Sequence, residues 1–193
     1  MERKAQASRI TKETKIQMAI NLDGQGQSHI DTGIGFFDHM LTLLAFHAGF
    51  DLEVKAEGDL YVCDHHTIED CGILLGQLFL EALGDKKGIA RYGNAKVPMD
   101  EALTAVDLDI SSRSYLVYHC ELKREKIGAF STEMAPEFLR AFAFNAGITL
   151  HVNNLYGEND HHKVESIFKA LGRALKAAVK VEGDVLLSTK GML

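Results

Sequence analysis

The sequence predicts an α+β fold in which one β-β-α-β-α half-domain occurs twice, giving two sheets with the helices packed between them. Three observations predict it. The hexamer Asp64-His65-His66-Thr67-Ile68-Glu69 returns as Asp160-His161-His162-Lys163-Val164-Glu165. Shortly upstream, residues 46–54 (FHAGFDLEV) match residues 144–152 (FNAGITLHV), and the spacer to the hexamer differs by only two residues, a loop-sized change. After each hexamer runs an apolar pattern of helical period, through Ile73, Leu74 and Leu78 in the first copy and Ile167, Phe168, Leu171 and Leu175 in the second. The copies cover about 10–95 and 99–187 of a single domain spanning 1–193, and two units are too few for a solenoid.

Each copy opens with strands. Residues 14–22, 102–110 and 114–122 alternate and are rich in β-branched side chains, as at Val106, Leu108 and Ile110. A helix follows over 37–48 and again over 136–146. Pro136 suits a first helical turn, where its missing N–H costs nothing. Gly49 and Gly147 suit the left-handed residue that closes each helix. Short strands at 51–56 and 148–153 lead through a loop into the long helices opened by the two hexamers. Asp64 and Asp160 are expected to cap those helices, because a carboxylate accepts the orphan N–H groups of the first turn.

Composition narrows the function. The chain has 193 residues, a net charge of −6 and 46% hydrophobic residues, so it can bury a real core and is not a general nucleic-acid binder. The longest apolar runs are a few residues long, so no membrane span is expected. Met1-Glu2-Arg3-Lys4 is not followed by an apolar stretch, so no secretory leader is expected either. Cys63, Cys71 and Cys120 are odd in number and lack CxxC spacing, which fits a reduced, cytoplasmic compartment and argues against a thiolate zinc site.

The paired histidines carry the chemistry. On a helix, residues four apart share a face, so His65 points with Glu69 and His161 with Glu165, whereas His66 and His162 diverge from them by about 100°. One metal cannot take both members of a pair. The arithmetic gives two metals, each collecting a His/Glu pair from one copy and the divergent histidine of the other. The missing ligands come from the preceding helices, at His39 and, in the matching place, Glu137. A His/carboxylate set without thiolate suits Mn²⁺, Fe²⁺ or Zn²⁺, and a high ligand count favours octahedral Mn²⁺. His29, His119 and His151 are expected to be buried or capping rather than ligating. Arg91, Arg113, Lys190 and the hydroxyls of Ser188 and Thr189 are donor types that hold a phosphate, and Gly191 lets backbone approach.

These segments, together with Gly35-Phe36-Phe37-Asp38-His39-Met40-Leu41, Arg91-Tyr92-Gly93, Val97-Pro98-Met99-Asp100-Glu101-Ala102 and Lys190-Gly191, resemble the imidazoleglycerol-phosphate dehydratases over nearly the whole chain. The resemblance implies a hydro-lyase of histidine biosynthesis that converts imidazoleglycerol phosphate to imidazoleacetol phosphate. It implies a duplicated fold like domain 2 of ribosomal protein S5, two Mn²⁺ per active site, and a homo-24-mer with sites at subunit interfaces. It places metal ligands at His39, His65, His66, Glu69, Glu137, His161, His162 and Glu165. Substrate contacts fall on Glu13, His47, Arg91, Arg113, Lys169, Ser188, Thr189 and Lys190. The chain departs from the family at Ser112, Ser114 and Leu187, where glycine or proline is usual.

The reaction explains the ligand set. The proton to be removed sits on a carbon with no adjacent carbonyl, so the imidazole ring is the only electron sink. A metal-bound imidazolate could expel the neighbouring hydroxyl, and loss of the C–H proton would give an enol and then the ketone. Glu13 and Glu165 are the candidate proton carriers, with His47 beside them. A dinuclear metal-dependent hydrolase acting on a small phosphorylated substrate would use similar ligands. It is told apart by phosphate release in place of ketone formation. An RNA-binding module has a similar fold but is opposed by the acidic charge.

Overall fold

The computed structural model of the chain describes residues 2–193. The first sheet contains β1 (Lys4–Ile10), β2 (Thr14–Asn21), β3 (Ser28–Asp31) and β4 (Asp51–Gly58), in the order β1-β2-β4-β3. The second contains β5 (Tyr92–Met99), β6 (Ala102–Asp109), β7 (Tyr115–His119) and β10 (Thr149–Tyr156), in the order β5-β6-β10-β7. The two orders are the same topology. In each sheet three strands pair antiparallel, and the last joins parallel to its neighbour. A parallel pair needs a crossover, supplied by α1 (Gly35–Ala48) in the first sheet and α3 (Met134–Ala146) in the second. The long helices are α2 (His65–Leu83) and α4 (Asp160–Ala178). A two-stranded ribbon, β8 (Lys126–Ile127) and β9 (Phe130–Ser131), lies in the second copy alone.

The core is the layer between the sheets. Along β2, Thr14, Ile16, Met18 and Ile20 are buried and alternate with outward Lys15 and Gln17; Ala102, Thr104, Val106 and Leu108 do the same on β6. The helices pack in crossed pairs, α2 on α3 and α4 on α1. Phenylalanines tie the pairs together: Phe138 meets Phe37 edge-on at 5.2 Å and stacks on Phe168 at 5.5 Å, and Phe142 meets Phe79 at 5.7 Å.

Strand register fixes which residues correspond. Met18 lies opposite Val54, and Val106 lies opposite Val152. Val54 and Val152 are matched positions, so Met18 corresponds to Val106 and Glu13, five residues earlier, to Glu101.

The structure corrects several expectations. Each copy starts one strand earlier than the hydrophobic pattern indicates. β1 begins at Lys4, and β5 belongs to the second sheet, where it pairs with β6. β1 and β5 are edge strands with few buried residues, and Pro98 breaks the strand signal of β5 while being tolerated at an edge. β3 and the ribbon are too short to read from periodicity. Gly49 and Gly147 do close their helices in left-handed conformation, at φ 73° and 67°. Asp64 stands at the N-cap position of α2 but does not cap through its side chain, and Asp160 is already the first residue of α4. Asn159 caps α4 by accepting the His161 N–H, and the Asp64 side chain makes no cap bond at all. Instead both carboxylates reach across to residues 123–131. Asp64 accepts the Ser131 amide and hydroxyl; Asp160 accepts the amides of Lys123 and Arg124 at 2.7 Å each. His29, His119 and His151 are exposed rather than buried, with His119 resting on Asn153.

Candidate active site

The chemistry-bearing residues gather in three places. The first lies where α4 crosses α1. His39, His161 and Glu165 bring one ligand atom each to within 4.8 Å of one another. Glu165 Oε2 stands 3.0 Å from His161 Nε2 and 3.4 Å from His39 Nε2. Its other oxygen takes the Lys169 ammonium at 2.6 Å. Burial raises the pKa of Glu165, but Lys169, His161 and His39 outweigh that and hold the carboxyl below its ordinary range. Three nitrogen and oxygen donors converging without thiolate fit a Mn²⁺-class ion. His47, two turns along α1 from His39, belongs to the same edge. Burial, then repulsion from Lys169 and Arg173, lowers its pKa and favours the neutral imidazole.

His162 points away from this cluster, as the helical geometry requires. Its Nδ1 meets Glu101 at 2.6 Å, and its Nε2 lies 3.6 Å from Asp100.

The second place is the matching end of α2. His65 Nε2 is 3.9 Å from Glu69. His66 turns the other way, with Nδ1 3.1 Å from both oxygens of Asp59 and Nε2 3.8 Å from Glu13. Hydrogen bonding to Asp59 raises the His66 pKa despite partial desolvation. Glu137 of α3 holds the position that His39 has on α1, but its carboxylate is paired with Arg140. Among the described residues it does not converge with His65 and Glu69, so the structure brings together one ligand trio rather than two.

The third place is anionic-ligand chemistry. Arg91 spans Asp109 with Nε and Nη2, at 2.7 and 3.0 Å, and donates Nη1 to the Leu187 carbonyl at 2.6 Å. Arg113 also approaches Asp109, at 3.6 Å, and is largely exposed. Asp109 therefore joins the two arginines, and Arg91 in turn holds the tail that carries Ser188, Thr189 and Lys190. Ser188 binds the Met192 carbonyl, and Gly191 takes positive φ, so the tail turns on itself. Ser112, at the first family departure, also has positive φ and accepts the Lys86 ammonium at 2.6 Å.

Two groups were missed in the sequence. Asp59 and Glu101 lie outside the hexamers, and only strand register reveals Glu101 as the counterpart of Glu13. Gly76 and Gly172 also escaped notice, although they occupy matched places in α2 and α4.

Comparison with known proteins identifies the arrangement. The family model described as imidazoleglycerol-phosphate dehydratase matches residues 32–175, which include both hexamers and His39. The chain belongs to the imidazoleglycerol-phosphate dehydratase family. It is 58% identical to the imidazoleglycerol-phosphate dehydratase of Acetivibrio thermocellus, with full coverage of both chains (100% and 100%). It is 59% identical to that of Azorhizobium caulinodans, over 99% of this chain and 98% of the relative. The crystal structure of the Staphylococcus aureus dehydratase superposes with a TM-score of 0.84 at 46% identity, covering 92% of this chain and 99% of that one. The Pyrococcus furiosus dehydratase in complex with (S)-C348 gives 0.85 at 40% identity, over 97% and 100%. The chain is thus an imidazoleglycerol-phosphate dehydratase by family, a lyase of histidine biosynthesis, and no relative supports the hydrolase reading. No helix among the described residues is long and apolar enough to cross a membrane.

Proposed function

We propose that this dehydratase acts on imidazoleglycerol phosphate with two Mn²⁺ per site, in active sites shared between neighbouring copies of the chain. The observation that carries the shared site is a length. Arg91 precedes β5 and Asp100 follows it, so the arginine cluster lies about 25–30 Å along an extended strand from the hexamer end of α4. A substrate of imidazole, three carbons and phosphate is far shorter than that. The ligands of one chain therefore work with the arginines of another, and the resemblance supplies 24 copies as the count. The exposed Cys63 thiol is in keeping with the cytoplasm.

In this reading His39, His161 and Glu165, with a divergent histidine, hold one ion; His65, Glu69 and Glu137, with the other, hold the second. Glu137 must swing from Arg140 to join. When bound, Mn²⁺ supplies Lewis acidity that makes the imidazole N–H of the substrate more acidic.

The residues of the chain do the rest. Arg113, Lys190 and the Ser188 and Thr189 hydroxyls bind the phosphate, while Arg91 holds the tail by its carbonyl and faces the same anion. Remote binding of this kind orients the reacting carbons. Lys169 fixes Glu165, so both oxygens of that carboxylate are engaged. Glu13 is exposed, with no closer partner than His66, and is the better carrier for the C–H proton. Burial and the nearby Lys169 and Arg173 favour the neutral imidazole of His47, which offers a hydrogen bond to a substrate hydroxyl.

Subunit mixing tests the proposal. His161→Ala should be inactive and Arg113→Ala should turn over only at raised substrate concentration, and co-assembly of the two should restore imidazoleglycerol-phosphate turnover at low substrate. Complementation that fails while both variants are shown to co-assemble would place the whole site in one chain. Chelation should abolish turnover, added Mn²⁺ should restore it, and a fully active metal-free preparation would remove the metal from the reading.

A further inference from the structure

The divergent histidines need something the hexamers do not contain. A ligating imidazole presents one nitrogen to the ion, and a partner on the other nitrogen sets its tautomer and ring direction. In this chain each divergent histidine has such a partner, and both partners are carboxylates from its own copy. Asp59 receives His66 Nδ1 with both oxygens at 3.1 Å, and Glu101 receives His162 Nδ1 at 2.6 Å. A carboxylate cannot donate, so Nδ1 must carry the proton. In the neutral form of each ring the lone pair is then on Nε2.

The two partners are not counterparts. Glu101 stands on the β5–β6 turn, where register places the counterpart of Glu13. Asp59 directly follows β4, opposite Glu13, whereas the bulge in β10 puts Gly157 in the place of Gly58 and Glu158 in that of Asp59, and Glu158 gives its amide to Glu101. The loop after β10 is also two residues shorter. The first copy therefore fixes its histidine from the loop, and the second from the hairpin turn.

This division explains the different states of the two hairpin glutamates. Glu101 is saturated: Oε1 accepts the amides of Asn159 at 2.7 Å and Glu158 at 3.1 Å, while Oε2 takes His162. Those amides, then the imidazole, pull its pKa down to about 2. Glu13 makes no hydrogen bond to His66: it stands 3.8 Å from Nε2, while Asp59 holds Nδ1.

We infer that Asp59 and Glu101 are positioning residues that fix His66 and His162 as Nε2 ligands, and that Asp59 thereby leaves Glu13 free for the substrate. The inference rests on the metal reading above.

The test must separate positioning from folding, because Glu101 also anchors the start of α4. Glu101→Gln does so. Its amide oxygen can still accept the Asn159 and Glu158 amides, but its NH₂ donates to Nδ1 and drives the proton to Nε2, which can then no longer ligate. Among the described residues the Asp59 carboxylate binds nothing else, so an asparagine there could keep its oxygen on Nδ1, and Asp59→Ala, which removes the acceptor, is the variant for His66. The readout is Mn²⁺ binding, followed as free Mn²⁺ by electron paramagnetic resonance, with thermal unfolding of metal-free protein as the control. Each variant should bind Mn²⁺ about 10–100-fold more weakly, with an unchanged unfolding transition. Glu101→Ala should lose affinity and stability together. If the wild-type chain binds Mn²⁺ and Glu101→Gln and Asp59→Ala both bind it equally well, the positioning role is overturned. If either variant loses affinity only in proportion to lost stability, its carboxylate is structural and the role is again overturned. A wild-type chain that takes up no Mn²⁺ would remove the metal reading and this assignment with it.

Discussion

Gly76 of α2 and Gly172 of α4 perform the same act in the two copies. A Cβ on Gly76 would sit 2.6 Å from the Phe142 carbonyl and 2.9 Å from the Ala146 amide of α3. A Cβ on Gly172 would sit 2.7 Å from the Leu44 carbonyl and 3.0 Å from the Ala48 amide of α1. Leu44 and Ala48 are the counterparts of Phe142 and Ala146. Each ligand-bearing helix thus meets its partner backbone-to-backbone at this point, and α2 does so again at Gly72, where a Cβ would sit 2.9 Å from the Phe138 carbonyl.

That contact predicts the effect of Gly172→Ala. Alanine gains about 1 kcal/mol of helix propensity. It also overpacks against main-chain atoms that cannot rotate aside, at a cost of about 1–3 kcal/mol or more. The net should be destabilising, and α4 should shift off α1 and spread His39 from His161 and Glu165. Urea unfolding and Mn²⁺ binding on one preparation would check both; a variant more stable than wild type with full metal affinity would contradict the close crossing.

The two arginines should behave differently. Arg113→Ala removes an exposed side chain and should raise KM for the phosphorylated substrate with stability changed by no more than about 0.5 kcal/mol. Arg91→Ala strips Asp109 of its bidentate partner and frees the tail, so it should weaken substrate and also cost about 1–3 kcal/mol. Steady-state kinetics beside chemical unfolding distinguishes them. Equal stability of the two variants would count against the Asp109 fork.

Asp160 and Lys163 form an ion pair that is almost wholly buried, and Lys163 also reaches the Glu121 carbonyl. Asp160→Ala leaves the ammonium unpaired and should cost about 3–5 kcal/mol. Adding Lys163→Met should recover part of that loss, because no charge remains to be desolvated. A double variant no more stable than Asp160→Ala would show that the cost lies in the lost amide bonds to Lys123 and Arg124.

Asp51 gives a pH signature away from the site. The amides of Gln25, then of Gln27, and the Asn21 side chain bind its carboxylate and hold its pKa below 3.8. The folded pKa lies below the unfolded one, so the stabilisation is complete above the unfolded value and fades as pH falls below it. Asp51→Asn should therefore be less stable than wild type at pH 7, with the gap narrowing below pH 3.8. Denaturation at a series of pH values checks the sign, and a constant gap down to strong acid would contradict it.

Much of the fold was legible because the sequence states it twice. Two hexamers, two AG closures and two apolar helices fix the repeat. The long helices and central strands fall where their periods place them. Edge strands did not, since β1 buries little and β5 contains Pro98. In the site, the i,i+4 logic placed His161 with Glu165 and turned His162 away. It could not reveal what receives His162, because Glu101 arrives from a distant hairpin. Nor could it show Asp64 and Asp160 forgoing the cap. An aspartate before a helix reads as a cap from local sequence, and only the tertiary position of residues 123–131 draws the carboxylates elsewhere.

That strip of chain has a consequence for descent. It was inserted into, or kept by, one copy alone, yet the aspartates of both copies close upon it. The halves are therefore no longer interchangeable. A gene made by doubling the first half would leave two carboxylates with nothing to hold, and doubling the second would furnish two strips. Whatever symmetric ancestor preceded this chain must have satisfied those aspartates by other means, and once the strip was adopted the fusion could not be undone by simple cutting.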